Sequence, residues 1–304
     1  MDLLHLVDKP EGWTSHDVVA RLRRVLGERR VGHAGTLDPF ATGLLLVAEG
    51  RATALLGCMS LLPKRYHAVA RLGVATDTQD LTGQPIATSS ALPGEADVHA
   101  ALERLQRTTL QRPPSYSAVK VGGERMYRAA RRGETLEAGE RPIRIYDLRA
   151  NTARLPDVSM DVTVSRGTYV RTLAHDLGQA LGCGAHLVSL RRVATGPFQV
   201  EDSTKLEAAS CMDAAELRTR ALSPADAVPH LPRVSLTGDE SSKLRHGRAP
   251  VVSPQRIHPA PLCVPTPPGE GGWPLALFAS EGDLLALAMA PVSSEPLRLL
   301  RVFP

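Results

Sequence analysis

Gly32-His33-Ala34-Gly35-Thr36-Leu37-Asp38-Pro39-Phe40-Ala41-Thr42-Gly43 runs straight into Leu44-Leu45-Leu46-Val47. The first part sets one carboxylate, Asp38, in a stretch punctuated by Gly32, Gly35, Pro39 and Gly43; the second is a continuous apolar run of strand length. Glycine permits backbone shapes and close approaches that other residues forbid. A loop held by a buried strand is where a fold can aim a single reactive side chain. Two readings stand at this point: an ordinary Asx-type turn ahead of a strand, or a loop built around a reactive carboxylate. The surrounding segments decide between them.

Upstream, residues 3–7 read as a short strand, and Gly12 and Thr14 mark a turn. A helix is expected from about Ser15 to Leu26, with Ser15 as N-cap, Asp17 in the first turn and Gly27 as the stop. Val18, Val19, Leu22, Val25 and Leu26 recur at helical spacing, and Arg21, Arg23, Arg24, Arg29 and Arg30 lie mostly off that face. Downstream, Leu44 to Val47 reads as a buried strand, residues 51–61 as a short helix, Tyr66 to Val74 as a strand and residues 97–107 as a helix. Val119-Lys120-Val121-Gly122-Gly123 reads as a strand entering a tight turn. Residues 143–146 and 160–164 alternate as half-exposed strands, and Thr168 to Leu181 carries Leu173, Leu177 and Leu181 on one side of a helix. Strands and helices mix without a regular βαβ rhythm, so the expected class is α+β.

The composition shifts near residue 224, since 11 of the 24 prolines fall between Pro224 and Pro274. A boundary at about Val228 to Pro232 divides the chain into residues 1–228 and 229–304. The second part carries short strands at 275–279, 284–289 and 297–302 and fits a small all-β module. Its Pro- and Gly-rich loop at 254–274 is expected to be mobile.

With 43% hydrophobic and 22% charged residues in 304, the chain is globular and long enough for a sizeable core. The net charge of +4 and pI of about 9.0 favour a polyanionic partner. Eight basic and four acidic side chains lie in residues 112–144, so this span carries the whole net charge and the remainder is about neutral. Cys58, Cys183, Cys211 and Cys263 have no metal-ligand spacing and read as reduced, mostly buried thiols. The N-terminus lacks a signal-peptide pattern, and no apolar run approaches the roughly 20 residues that span a bilayer. A cytoplasmic protein with no membrane segment and no metal is expected.

Three further segments bear on Asp38. Lys9-Pro10-Glu11-Gly12-Trp13-Thr14-Ser15 follows the pattern K-P-x-G-x-[TS]-S. Lys64-Arg65-Tyr66 places a tyrosine two residues after a lysine. Ser165-Arg166-Gly167-Thr168-Tyr169-Val170-Arg171-Thr172-Leu173 precedes Gly182-Cys183-Gly184-Ala185-His186-Leu187-Val188-Ser189-Leu190-Arg191-Arg192. Taken singly each has a bland reading: a turn into a capped helix, a core tyrosine, an arginine on the exposed side of a helix, and a hydrogen-bonded structural histidine at His186. Together with the Asp38 stretch, and in this order, they resemble the bacterial tRNA pseudouridine synthase B family, over roughly residues 3–200. Ala34 and Phe40 depart from the usual Thr and Leu at places that touch no implied reactive group.

The resemblance implies a catalytic domain with a central mixed, mostly antiparallel sheet flanked by helices. Residues 112–144 lie where that family has an RNA-gripping thumb loop, with Arg128, Arg131 and Arg132 among its cations. Lys243-Leu244-Arg245-His246-Gly247-Arg248 and the strand-rich end resemble an RNA-binding PUA barrel. The implied activity is isomerisation of the uridine at position 55 in the tRNA T-loop, with no cofactor. Asp38 is implied to be the nucleophile, Arg171 its partner, and Tyr66 the group stacked on the uracil and the base for its C5 proton. His33 is implied to fill the stack left by the flipped nucleotide, Tyr169 to contact that nucleotide and Leu190 to wall the base. Lys9 and Lys64 are expected on the binding side, Lys9 as a structural or backbone-binding residue. An arginine beside a carboxylate lowers its pKa, whereas desolvation raises it. Two other functions remain: an RNA-binding or tRNA-folding module with secondary or lost catalysis, and the related enzyme on a guide-RNA scaffold. Basic extensions usual for the latter are missing from a chain ending at Pro304, so a stand-alone protein acting on the T-arm is expected; nothing suggests an obligate dimer, and a monomer is expected.

Overall fold

The computed structural model describes residues 1–117, 119–134, 136–262, 264–265, 273–289 and 296–303, apart from the side chains of residues 131, 152 and 153. Cys263 and residues 266–272 of the Pro- and Gly-rich loop at 254–274 lie outside the described residues. The chain divides into two compact units, residues 1–39, 43–62 and 195–304 in the first and residues 40–42 and 63–194 in the second.

In the first unit the strand Leu3–Lys9 pairs antiparallel with Thr42–Glu49 and parallel with the short strand Thr204–Lys205. Val31–Ala34 adds antiparallel to Thr42–Glu49, which makes the sheet mixed but mostly antiparallel. The helix Ser15–Leu26 lays Val18, Val19, Leu22 and Leu26 on this sheet, against Val7, Val31, Leu45 and Val47. Each fully buried aliphatic side chain contributes about 1.5–3 kcal/mol relative to exposure.

The helix starts as expected but is capped by Thr14, not Ser15. Thr14 Oγ1 accepts from the Asp17 amide at 3.1 Å and the Asp17 carboxylate accepts from the Thr14 amide at 3.0 Å. Asp17 stands three residues after Thr14, so only Thr14 can close this reciprocal box. Ser15 is thereby released for another use, described below. Gly27 ends the helix at φ 61, as the sequence predicts.

The second unit orders its strands 145–154, 157–164, 64–72 and 185–195. Lys64–Leu72 alternates buried and exposed residues, with Lys64, Tyr66, Ala68, Ala70 and Leu72 on the buried face. Helices Glu95–Leu105 and Val170–Ala180 pack together, and the second also lies against Lys64–Leu72. Both units therefore bear out an α+β chain with a mixed, largely antiparallel sheet framework.

At the C-terminal end, strands 233–235, 275–278, 284–288 and 299–302 follow one another in an open four-stranded sheet. Its core gathers Val234, Leu236, Leu244, Val252, Leu275, Leu277 and Leu285. The expectation of an all-β module is corrected here by an eight-residue helix, Gly238–Arg245. Thr237 and Glu240 form its capping box, a signal legible in the sequence. The Arg256 guanidinium beside Glu240 holds that carboxyl down to about 2.

Candidate active site

Asp38 sits half-buried in the connection between Val31–Ala34 and Thr42–Glu49. Gly35 and Gly43 bracket it at φ 75 and 102, conformations that a side chain would strain. The residues on either side of Asp38 are pinned by separate parts of the fold. On one side, Ser15 Oγ accepts from the Leu37 amide at 2.8 Å. On the other, the Pro39 carbonyl accepts from the Gly12 amide at 2.8 Å and from Lys9 Nζ at 3.2 Å. Leu37, Phe40 and Ala41 of the same connection are buried.

Lys9 is fully buried, and its ammonium also donates to the Pro10 and Trp13 carbonyls at 2.9 and 2.7 Å. These bonds tie the residue-10–13 turn to the backbone just after Asp38. A hydrogen bond to a charged group is worth about 1.5–3 kcal/mol. Lys9→Met should therefore destabilise the protein by several kcal/mol and loosen the Asp38 loop. Thermal unfolding checks this; an unchanged melting temperature would remove the tie. His33 lies on Val31–Ala34 opposite Val47, half-buried and five residues before Asp38.

In the second unit, Arg171 is 4% exposed at the start of Val170–Ala180, which excludes an ordinary surface arginine. Its guanidinium donates to the Thr78 carbonyl at 2.9 Å, to the Asp80 carboxylate at 3.2 Å and to the Tyr116 carbonyl at 3.0 Å. Asp80 is itself buried and accepts from Thr78 Oγ1, the Thr82 amide and Thr82 Oγ1 at 2.7, 2.9 and 2.6 Å. Gln79 adopts φ 62, rare for a residue with a side chain, and is held there. Its side-chain oxygen accepts from Thr172 Oγ1 at 2.9 Å, and its carbonyl accepts from the Leu187 amide at 3.0 Å.

Sequence reasoning missed Asp80. The signal was Asp77-Thr78-Gln79-Asp80-Leu81-Thr82-Gly83, a cluster of turn residues whose side chains bond nearby backbone. It also missed Gln111, a buried amide that accepts from the Tyr169 amide at 2.8 Å and donates to the Tyr169 carbonyl at 3.1 Å. That pair of hydrogen bonds fixes the residue just before the helix Val170–Ala180.

Tyr66 and Leu190 are both largely buried, on Lys64–Leu72 and Ala185–Thr195 respectively. Lys64 shares the Tyr66 face; burial, then the charges of Arg192 and Arg166, push its ammonium down to about 7. His186 is structural, its Nδ1 lying 2.8 Å from the Val74 carbonyl.

The basic span folds as a hairpin, Lys120–Val121 with Glu124–Arg125, turned by Gly122 and Gly123 at positive φ and followed by the helix Met126–Arg131. Val119, Met126 and Ala138 form its small core, on which Tyr169 packs. Arg128 is exposed. Arg132 is engaged by Glu124 and Glu134 at 2.7 and 2.8 Å, and the side chain of Arg131 lies outside the described residues. Hydrogen bonds from Arg128 and Arg125 pull the half-buried Tyr127 phenol below its ordinary range.

The family model described as TruB family pseudouridylate synthase (N terminal domain) matches residues 23–170, and that of the tRNA pseudouridylate synthase B C-terminal domain matches residues 171–228. The tRNA pseudouridine synthase B of Thermobifida fusca is 44% identical, over 93% of this chain and 92% of its own. That of Geobacter sulfurreducens is 40% identical over the whole of both. Among solved structures, a Cbf5-Nop10-Gar1 complex contains a chain with a TM-score of 0.75 and 26% identity, covering 99% of this chain and 84% of that one.

Proposed function

This chain belongs to the TruB family of pseudouridylate synthases, and we propose that it isomerises uridine to pseudouridine in tRNA, at position 55 of the T-loop. The observation that carries the reading is the Asp38 loop, a single carboxylate whose flanking residues are bolted on both sides inside the family signature. A nucleophile fixed in this way reaches its target without reorganising.

In the reaction, the N1–C1′ bond of the uridine breaks, the uracil turns and a C5–C1′ bond forms. The C5 proton leaves and N1 gains one, so no group is lost from the RNA. Asp38 is the nucleophile, at the ribose or at the base. Arg171 supports its ionised state as a neighbouring cation. Tyr66 lies against the uracil and takes the C5 proton. The target base is flipped out of the loop to reach them; His33 fills the gap, Leu190 walls the base and Tyr169 contacts the nucleotide. In this reading Lys9 and Lys64 act from within the fold, Lys9 by holding the Asp38 loop.

The catalytic domain is residues 1–228, and residues 229–304 form a PUA-like second RNA contact. The protein works as a monomer in the cytoplasm, on the T-arm. Its basic hairpin at 112–144 grips the phosphates. Neutralising Arg128, Arg131 and Arg132 together should weaken RNA binding and flatten its salt dependence, each lost phosphate contact reducing the slope of log K against log salt by about 0.7–0.9. Titrations at two salt concentrations check this, and equal affinity at both would remove the clamp.

The decisive experiment is tritium release from a T-arm stem-loop labelled at uridine C5. Release establishes substitution at C5. Tight binding with no release would favour a tRNA-folding module over an enzyme.

A further inference from the structure

Trp13 is placed where the proposed reaction has no assigned use for it. The chain is poor in aromatics, with two tryptophans in 304 residues. Trp273 is committed to the fold: its indole donates to the Val264 carbonyl at 3.2 Å and stands edge-on to the His230 ring, 5.1 Å between centroids. Trp13 is different, being 38% exposed.

Its mount is rigid. The Trp13 carbonyl and the Pro39 carbonyl share one buried ammonium, Lys9 Nζ, and the Gly12 amide closes a second bond to Pro39. On the other side, Thr14 caps a helix through a full capping box. The backbone that carries the indole is therefore fastened to the residue that follows Asp38. Nothing in the turn demands an indole there: Lys9, Gly12, Thr14 and Ser15 make the bonds, and the K-P-x-G-x-[TS]-S pattern leaves position 13 open.

A partly exposed indole on a fixed mount beside the Asp38 loop suits an unpaired nucleobase. Every base has a π-face, and stacking tolerates sequence while fixing position. We propose that the Trp13 indole is a stacking platform for an unpaired base of the RNA loop that presents the target uridine. It sets affinity and register and takes no part in bond making. The competing role is a hydrophobic staple, in which a residue just before the cap packs on the fourth helical residue, here Val18.

The inference rests on the tRNA reading above, and its test separates the two. KM and kcat are measured on the T-arm stem-loop for wild type, Trp13→Phe and Trp13→Leu, together with tryptophan emission on RNA addition. Leucine keeps a staple but cannot stack; phenylalanine keeps a stacking face. The expected result is a KM about tenfold higher in Trp13→Leu with kcat within about twofold, most of the loss recovered in Trp13→Phe, consistent with the strength of base–aromatic stacking. Emission is quenched by RNA in wild type and the quenching is lost in Trp13→Leu. Unchanged KM in Trp13→Leu, an equal rise in both variants, or no RNA-dependent quenching overturns the platform. Tritium release by wild type judges the tRNA reading independently: release with unchanged KM sinks the Trp13 role alone, while no release sinks the reaction and leaves quenching to judge the stacking.

Discussion

Asp38→Asn should abolish turnover while leaving tRNA binding nearly intact. An amide of the same shape is neither ionised nor a competent nucleophile, and removal of an enzymatic nucleophile costs on the scale of 10⁴-fold or more in kcat. The loop should survive the change, because the bonds that flank Asp38 are made by the backbone of Leu37 and Pro39 with Ser15, Gly12 and Lys9. In the proposed reading, binding is carried instead by the basic hairpin and by contacts spread along the chain, which the substitution does not touch. Single-turnover tritium release and a binding titration, run side by side on wild type and Asp38→Asn, measure the two quantities separately. Equal turnover would end the nucleophile assignment. A parallel loss of binding would instead make Asp38 a structural residue of the loop.

Much of this loop was legible in the sequence because its signals are local. The glycines that take positive φ, the strand that receives the loop and the helix with its Gly27 stop all follow from short-range rules. The N-cap assignment failed by one residue, since Thr14 and Ser15 are equally good caps until Asp17 is counted as the third member of the box. What Ser15 does instead could not be read, because its partner lies 22 residues away. The Lys9 ammonium is similar: a lysine at a strand end is normally solvated, and only the fold shows three carbonyls converging on it.

The second unit illustrates the same limit more sharply. Arg171 is flagged by its motif, but its partners come from residues 78, 80 and 116, separated from it by long stretches of chain. Asp80 looks like loop punctuation because turn residues and buried charge ligands share an alphabet of Asp, Thr and Gly. In the C-terminal module the helix Gly238–Arg245 was hidden by its polarity, since six of its eight residues are Gly, Asp, Glu, Ser or Lys and give little apolar periodicity.

Asp80→Ala should be the most destabilising single change in the second unit. Arg171 and Asp80 are only 4% and 5% exposed at their side chains, with 3.2 Å between charged atoms. Removing one partner of a buried ion pair costs about 3–5 kcal/mol, because the remaining charge keeps its desolvation penalty. Here the loss extends further: Thr78 Oγ1, the Thr82 amide and Thr82 Oγ1 all donate to the same carboxylate oxygen. The turn they build holds Gln79 at positive φ, a conformation that the surrounding bonds must enforce, so the turn loses its shape once the carboxylate goes. Asp80→Asn keeps one acceptor for Thr82 and should fall between wild type and alanine. Turnover should drop with stability, since an arginine displaced by even about 1 Å can cost roughly 10²-fold in rate. Denaturant unfolding at constant m-value measures the first effect and tritium release the second. Asp80→Ala combined with Arg171→Met provides the internal control: if the two residues act as a pair, the double variant loses less than the two single losses added together. Strict additivity, or a change below about 0.5 kcal/mol in Asp80→Ala, would show that the other partners of Arg171 suffice to hold it, and the pair would lose its structural role.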